Sequence, residues 1–401
     1  MLRQQAFKYR LTPTREQCAI LERTIGVVRF IWNSALALQI YLLDHKTWTL
    51  NYEGLCRELT AARNDPELAF LSEVHSQAAQ QKLKDLHGAF KDFFAKEKGF
   101  PRFKKKGRHD SFRQPQSVYV KGQHVSIPGI GLIQFRKSRD VVGKIKNATI
   151  SKRGGRWYVS IQTEREVDEP KHASKSEIGI DVGIKAFAAL SDGTLYESLN
   201  SFRKLEEELR QAQRKLRCKV KFSKNWKKQQ AVVARIHIRI ADARQDFLHK
   251  ISTDISKNHA MICIEDLKVR NMSASAGGTV EDPGCRVRQK AGLNKSILDQ
   301  GWYTFRCFLK YKQHWCGGRL IPVPPQYTSQ TCSECLHVSA ENRRTQSLFV
   351  CVSCGYTDNA DVNAAKNVLR AGRVLSVCES NPKRGRKQKI GVNREVRAPL
   401  S

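Results

Sequence analysis

Apolar and polar positions change their spacing several times along the chain, and each change predicts a different element. The opening stretch QQAFKYRL alternates as a half-buried strand does and stops at Pro13. From Thr14 to about His45 the apolar residues fall at helical intervals. Ile25, Val28, Trp32 and Ala35 share one stripe, and Thr14 followed by Gln17 matches a capping box. A short helix is predicted near 53–63, and a longer one over 73–96, where Ala79, Leu83, Leu86, Phe90 and Phe93 lie on one face. KGFPRFKKKGRHDSFR (98–113) has no strong period. After it, SVYVKGQHVSIPGIGLIQF and KNATISKRGGRWYVSIQTERE alternate around glycine-rich turns, the pattern of a small barrel or sheet. Residues 1–165 read as a β-domain with a helical bundle inserted near its start.

A polar linker, VDEPKHASKSE (167–177), precedes a change of style. IGIDVGIKAFAALSDGTLYES reads as two apolar strands and a turn at Asp192-Gly193, and 201–257 as long charged helices broken near KFSKNW. HAMICIEDL (259–267) reads as a buried strand. Residues 268–294, with SASAGG and DPG, read as a mobile surface loop, followed by a helix at about 296–313 and a strand around Arg319–Val323. The end, NPKRGRKQKIGVNREVRAPLS (381–401), is basic and poor in large apolar residues, a composition expected to stay disordered. There are no internal repeats.

Charge narrows the function classes. The 401 residues carry 71 Lys and Arg against 38 acids, a formal net charge of +33, and the excess is spread along the chain. Such a field favours polyanions, and nucleic acid above all, because binding releases counterions. A basic protein that is merely soluble and a membrane surface are the other readings. The N-terminus lacks a signal-peptide core and no run approaches ~18 apolar residues, so a cytosolic protein is expected. In that compartment twelve cysteines argue for thiols or metal ligands. Eight of them (Cys18, Cys56, Cys218, Cys263, Cys285, Cys307, Cys316, Cys378) are scattered singly and read as packing residues.

The other four form two Cys-x2-Cys knuckles, Cys332/Cys335 and Cys351/Cys354, with fifteen residues between them. A hairpin in the intervening stretch returns the second pair to the first, giving a four-thiolate zinc ribbon; two redox pairs or chance spacing are the other readings. Three carboxylates form a second constellation. Asp181 lies near the end of one apolar strand and Glu265 ends another, while Asp361 opens the helix DVNAAKNVLRAG. Carboxylates at a sheet rim offer hard oxygen ligands, and three of them can hold two Mg²⁺ about 3.5–4 Å apart for phosphodiester hydrolysis. Each also has a plain reading: Asp181 as a turn former, Glu265 as a strand-end charge, and Asp361 as a helix-dipole partner with Asp358 as cap.

GIDVGIKAFAALSDG, DFLHKIST, ICIEDLKVRNM, LNKSILDQGWYTFRCFLKYK, VPPQYTSQTCSEC and CVSCGYTDNADVNAAKN resemble the TnpB family of transposon-encoded RNA-guided nucleases, related to type V CRISPR effectors. FKYRLTPTREQ, VRFIWNSAL and FPRFKKK are also similar to it, so the resemblance spans nearly the whole chain. It implies an α/β, ribonuclease-H-like (RuvC) nuclease domain over 167–329 and 356–373, interrupted by a zinc ribbon at 330–355. It also implies a wedge-like β-barrel over 1–13 and 98–166, an inserted helical recognition domain over 14–97, and a basic disordered tail at 374–401. Asp181, Glu265 and Asp361 match the family's catalytic triad, served by two Mg²⁺, and the four cysteines match its structural zinc site. The implied partners are a guide RNA from the transposon end and double-stranded target DNA read beside a short adjacent motif. The implied product is a monomeric ribonucleoprotein that cuts DNA. A guide-dependent binder that does not cut is the alternative, and an end-joining transposase a weaker one. Tyr52, Gln77, Gln81 and Lys84 are candidate DNA contacts, and Arg102, Lys104, Lys105 and Lys106 candidate phosphate contacts, with packing or a solvated face as the other reading. His249 is not a catalytic candidate. Two departures stand out: Leu336 replaces the glycine usual after the first knuckle, and Ser347 replaces an arginine common before the third cysteine, with Arg343 or Arg344 as substitutes.

Overall fold

The structure is a computed structural model that describes residues 1–279 and 281–380, with side chains through residue 377. It divides into two compact units, Met1–Asp168 and Glu169–Ser401.

In the first unit, β1 (Leu2–Leu11) leads into α1 (Arg15–Asp44), whose start carries the capping box: Thr14 Oγ1 accepts from the Gln17 amide while Gln17 Oε1 accepts from that of Thr14. By length and average composition α1 is long and apolar enough to cross a membrane, although it holds no unbroken run of ~18 apolar residues. Its apolar stripe is nevertheless spent inside the unit: Leu21, Val28, Ile31 and Leu36 are buried in the same core as Leu83 and Leu86. α2 (Tyr52–Asn64), a 3-10 turn (Pro66–Glu73) and α3 (Ser76–Phe94) complete the helical insert. The chain then returns through β2 (Ser111–Gln114), β3 (Tyr119–Lys121), β4 (His124–Ile127), β5 (Gly131–Gln134), β6 (Lys144–Arg153) and β7 (Arg156–Glu166). Two sheets form, ordered β1-β7-β6-β2 and β3-β4-β5. They are sewn together where Thr12 N donates to Gln134 O (2.8 Å) and Arg136 N to Arg10 O (2.9 Å).

The second unit is built on a five-stranded sheet of β8 (Glu177–Val182), β9 (Ala186–Leu190), β10 (Leu195–Glu197), β11 (Met261–Glu265) and β12 (Arg319–Val323), in the order β10-β9-β8-β11-β12. The first three pair antiparallel, and β11 runs parallel to both β8 and β12. α4 (Ser201–Arg217) and α5 (Lys224–Asn258) form the predicted broken pair. Between β11 and β12 come the short α6 (Val269–Met272), then α7 (Val287–Gln300) and α8 (Trp302–Cys316). Here the single helix expected at 296–313 is two, split at Gly301, whose φ of 74° breaks the helical path. Part of the expected loop is therefore α7. One sheet face packs Ile178, Ile180, Ile262 and Ile264 against Leu248, Ile251, Phe305 and Leu309 from the helices. The other packs Met261, Cys263, Ile321 and Val323 under Val368 of α9 (Ala360–Ser380). A 3-10 turn (Ala340–Asn342) and the hairpin of β13 (Leu348–Val350) and β14 (Thr357–Asn359) precede α9. The helix continues to residue 380, so the start of the expected 374–401 tail is helical; 381–401 lies outside the described residues. Packing fits Cys263, which is buried, but Cys218, Cys285 and Cys307 are exposed.

Candidate active site

Strand pairing brings the first two carboxylates to one rim. In the parallel register Ile264 faces Ile180, so the next residues, Glu265 and Asp181, follow on neighbouring strands at the same end. Alternation puts Asp181 on the face of Gly179, and Glu265 on the face of Cys263. That face belongs to α9. A Cβ on Gly179 would run into the Ala365 carbonyl and stand 2.7 Å from Leu369 N, and one on Gly372 would run into Cys263 Sγ. The helix therefore lies directly on both strands. Asp361 is one turn before Ala365, as Asp181 is two residues past Gly179, so seating Ala365 on Gly179 carries Asp361 to Asp181.

Electrostatics record the gathering. Burial, followed by the charges of Glu265 and Asp361, pushes the Asp181 carboxyl up to about 7, while Arg343 opposes the rise. Burial also raises Glu265, opposed by the Thr328 hydroxyl, which donates to Glu265 Oε1 at 2.7 Å. Arg343 donates to Asp361 Oδ1 at 3.2 Å and to the Gln346 carbonyl at 3.1 Å, whereas Arg344 is exposed. Of the two substitutes considered for the absent arginine, Arg343 is the one that faces the carboxylates. Asp358 is not the cap of α9. Asn359 Oδ1 takes the amides of Asp361 (2.9 Å) and Val362 (3.3 Å), and Asp358 binds Lys366 (2.8 Å) and Tyr356 (2.7 Å). The plain reading of Asp361 thus loses its partner in capping. All-oxygen donors whose mutual repulsion is relieved by positive charge suit a hard divalent cation.

The two knuckles are near copies. Cys332 N donates to His337 O (3.0 Å) as Cys351 N does to Tyr356 O (2.8 Å), and Leu336 N reaches Cys332 O as Gly355 N reaches Cys351 O. Leu336 and Gly355 both occupy the left-handed region, at φ 67° and 73°. Leucine thus adopts the conformation the missing glycine would supply. The four Sγ atoms lie within 4.8 Å of one another, with Cys332–Cys354 at 3.7 Å and Cys335–Cys351 at 3.5 Å. A tetrahedron with Zn–S bonds of about 2.3 Å has edges near 3.8 Å, so the cluster fits zinc. Among the described residues no other group of His, Cys, Asp or Glu is as tight; the carboxylates are a looser set.

Three residues that sequence reasoning passed over join the centres. Asn363, Asn367 and Arg370 recur at i, i+4 and i+7 of α9. Asn363 Oδ1 accepts from Ser333 N (2.9 Å), Asn367 Nδ2 donates to the carbonyls of Thr328 (2.9 Å) and Thr331 (2.6 Å), and Arg370 reaches Ser333 O (3.3 Å). The polar spacing was the available signal.

The candidate nucleic-acid contacts lie in the first unit and are unevenly exposed. Arg102, Lys105, Lys106 and Lys84 are exposed. Lys104 turns inward: its Nζ sits 3.7 Å from the Trp32 ring centroid, and burial with Lys82 nearby lowers its pKa to about 8. Gln77 bonds Gln116 (2.9 Å) and Gln114 (3.0 Å), Gln81 bonds Asp85 (2.9 Å), and Tyr52 packs half-buried on the core. His249 stacks on Phe308 at 3.9 Å.

A curated protein of Escherichia coli (strain K12), "Putative RNA-guided DNA endonuclease InsQ", is 49% identical over 96% of this chain and 96% of its own length. The chain belongs to the TnpB family. A second relative, "Putative RNA-guided DNA endonuclease" of Streptomyces pristinaespiralis, is 35% identical over 93% of this TnpB chain and 90% of that one. Family models described as "Probable transposase", "Cas12f1-like, TNB domain" and "Helix-turn-helix domain" match residues 160–276, 302–368 and 1–44. The last stretch is here a strand and one unbroken helix, β1 and α1. The solved "Cas12f1-sgRNA-target DNA complex" contains a chain that superposes with a TM-score of 0.54, covering 92% of this TnpB chain and 98% of that one at 13% identity, a likeness of fold.

Proposed function

We propose that this TnpB chain is an RNA-guided DNA endonuclease that hydrolyses phosphodiesters at the rim formed by Asp181, Glu265 and Asp361. The observation that carries the reading is the convergence of three carboxylates from β8, β11 and α9 on one face, where burial, followed by the charges of Glu265 and Asp361, pushes the Asp181 carboxyl up to about 7. A chain gains no stability from crowding like charges into a half-buried rim, so the arrangement points to chemistry. The sheet, three antiparallel strands extended by two parallel ones, resembles that of ribonuclease-H-like nucleases. The names of relatives at 49% and 35% identity support the activity.

Within this reading the three carboxylates are ligands for two Mg²⁺. Bound there, the ions would supply an activated water and would stabilise the leaving oxygen. Thr328 fixes the rotamer of Glu265, and Arg343 pairs with Asp361 and presents positive charge where an incoming phosphate is needed. The cysteine cluster holds one structural zinc, since four thiolates leave no open position. A guide RNA encoded at the transposon end reads the target by pairing, and the first unit holds RNA and the adjacent DNA motif. The complex is a monomeric ribonucleoprotein of the cytoplasm.

The test uses the protein purified with its RNA. Matched linear DNA is expected to be cut in Mg²⁺ and left intact in EDTA, and exchanging the guide segment to redirect cutting to a new match. Cutting that ignores the guide, or no cutting of a fully matched target, overturns the proposal.

A further inference from the structure

The α4–α5 hairpin has more length than the sheet needs. α5 ends at Asn258, β11 begins at Met261, and Leu248, Ile251 and Ile255 are the α5 residues packed in the sheet core. α5 therefore runs back along the strands, and its first turns lie beyond their C-terminal ends, the side that carries Asp181 and Glu265. Arg244 Nη1 still anchors to the Leu298 carbonyl (3.0 Å). From there to Lys224 the helix extends roughly 30 Å, at about 1.5 Å per residue. Leu209, Ala212, Ile236 and Ile240 close a separate small core with α4, so the extension is a stiff arm.

Its tip is unlike a solvated turn. Between Leu209 and Ala241 the sequence holds eleven Lys and Arg and no acid. Only Arg210 and Arg239 form ion pairs, with Glu207 and Glu208, among the described residues. Val220 and Phe222 are 80% and 73% exposed. Phe222 has φ 67° in a bulky residue and leans on Trp226 at 5.5 Å, while Ser223 caps α5 by accepting from Trp226 N (3.1 Å). A strained backbone that holds an aromatic ring in water amid lysines fits phosphates and a base or sugar face.

We propose that this arm grips the DNA flanking the cut. Lys219, Lys221 and Lys224 hold backbone phosphates and Phe222 stacks. The proposal rests on the endonuclease reading above. DNA is the occupant because the arm and the carboxylates project from the same end of one sheet.

The experiment compares RNA-loaded wild type with Lys219→Gln/Lys221→Gln/Lys224→Gln and with Phe222→Ala, on matched DNAs carrying about 4 or about 20 base pairs beyond either side of the cut. Affinity is read in EDTA across salt, and cutting in Mg²⁺. Wild type should bind long flanks at least tenfold tighter than short ones. The triple variant should lose that advantage, with a salt slope shallower by about 2.7, and Phe222→Ala should lose about tenfold on long flanks alone. kcat and RNA retention should hold, and melting temperature reports folding. Equal wild-type affinity for both flank lengths, unchanged variants, or loss of RNA in place of DNA each overturns the proposal. Failure of wild type to cut matched DNA would instead overturn the endonuclease reading, because flank dependence is measured without cleavage.

Discussion

The thiolate cluster and the carboxylate rim sit at opposite extremes of how a chain assembles charged ligands. The ribbon brings four sulfurs within 4.8 Å through two short, nearly identical local turns. The rim draws its ligands from positions 181, 265 and 361, and relies on β8, β11 and α9 being packed before any of them meet. Carboxylates repel when crowded, and here burial, followed by the charges of Glu265 and Asp361, pushes the Asp181 carboxyl up to about 7. A structural site can be local and tight. The carboxylate set depends on the global fold. α9 serves both, with Asn363, Asn367 and Arg370 on the ribbon side and Asp361 on the rim.

Breaking the rim should give the largest effect. Asp181→Ala, Glu265→Ala and Asp361→Ala are each expected to lower Mg²⁺-dependent cutting by about 10³-fold or more, with guided DNA binding retained and double mutants little worse than singles. Cleavage rates and affinities on one matched target check this, and near-normal cutting by any single variant removes that residue from the site. Breaking the ribbon comes next. Cys351→Ser should drop zinc from one ion per chain toward none and loosen the chain around Asp361, because zinc binding is folding energy in such modules. Elemental analysis with limited proteolysis of the 330–360 stretch reads both.

A pH experiment sharpens the contrast. Since the folded-state pKa of Asp181 lies above its unfolded value, the folded state binds the extra proton between roughly pH 4 and 7. The stability this contributes is present below that window and lost as pH rises through about 7. In EDTA, Asp181→Asn should therefore gain several degrees in Tm over wild type at pH 8 and little at pH 5. Added Mg²⁺ should stabilise wild type more than the variant. The smallest effect concerns the knuckles. Leu336 is 53% exposed and holds φ 67°, so Leu336→Gly relieves a left-handed leucine at little loss of burial. It should raise ribbon stability by about 0.5–1 kcal/mol, measurable as slower zinc release to a chelator; faster release would show that the leucine side chain matters more than its backbone.

What the sequence disclosed follows the same division between local and assembled. Thr14 with Gln17 marked the start of α1, and the knuckle spacing marked the ribbon, because each is settled within a few residues. Asp181 and Glu265 were visible as acids closing apolar strands, but nothing local said that Gly179 would bring α9 against them. The inward turn of Lys104 was hidden for a like reason: its partner, Trp32, is remote in sequence, and a run of lysines carries no mark of the one that packs. The split at Gly301 was missed because apolar periodicity resumes on both sides of one left-handed residue. Asn359 was overlooked as the cap of α9 because Asp358, its neighbour, has the same turn chemistry and a different bond.

Gly179 sets a machining tolerance for the whole centre. α9 rests on it with no room for a methyl group, so the clearance between helix and sheet is one hydrogen atom wide. A single carbon inserted there would act as a shim, lifting the helix and widening the gap between Asp361 and Asp181 while leaving every ligand in place. The gauge of this centre is set by a residue that has no side chain of its own.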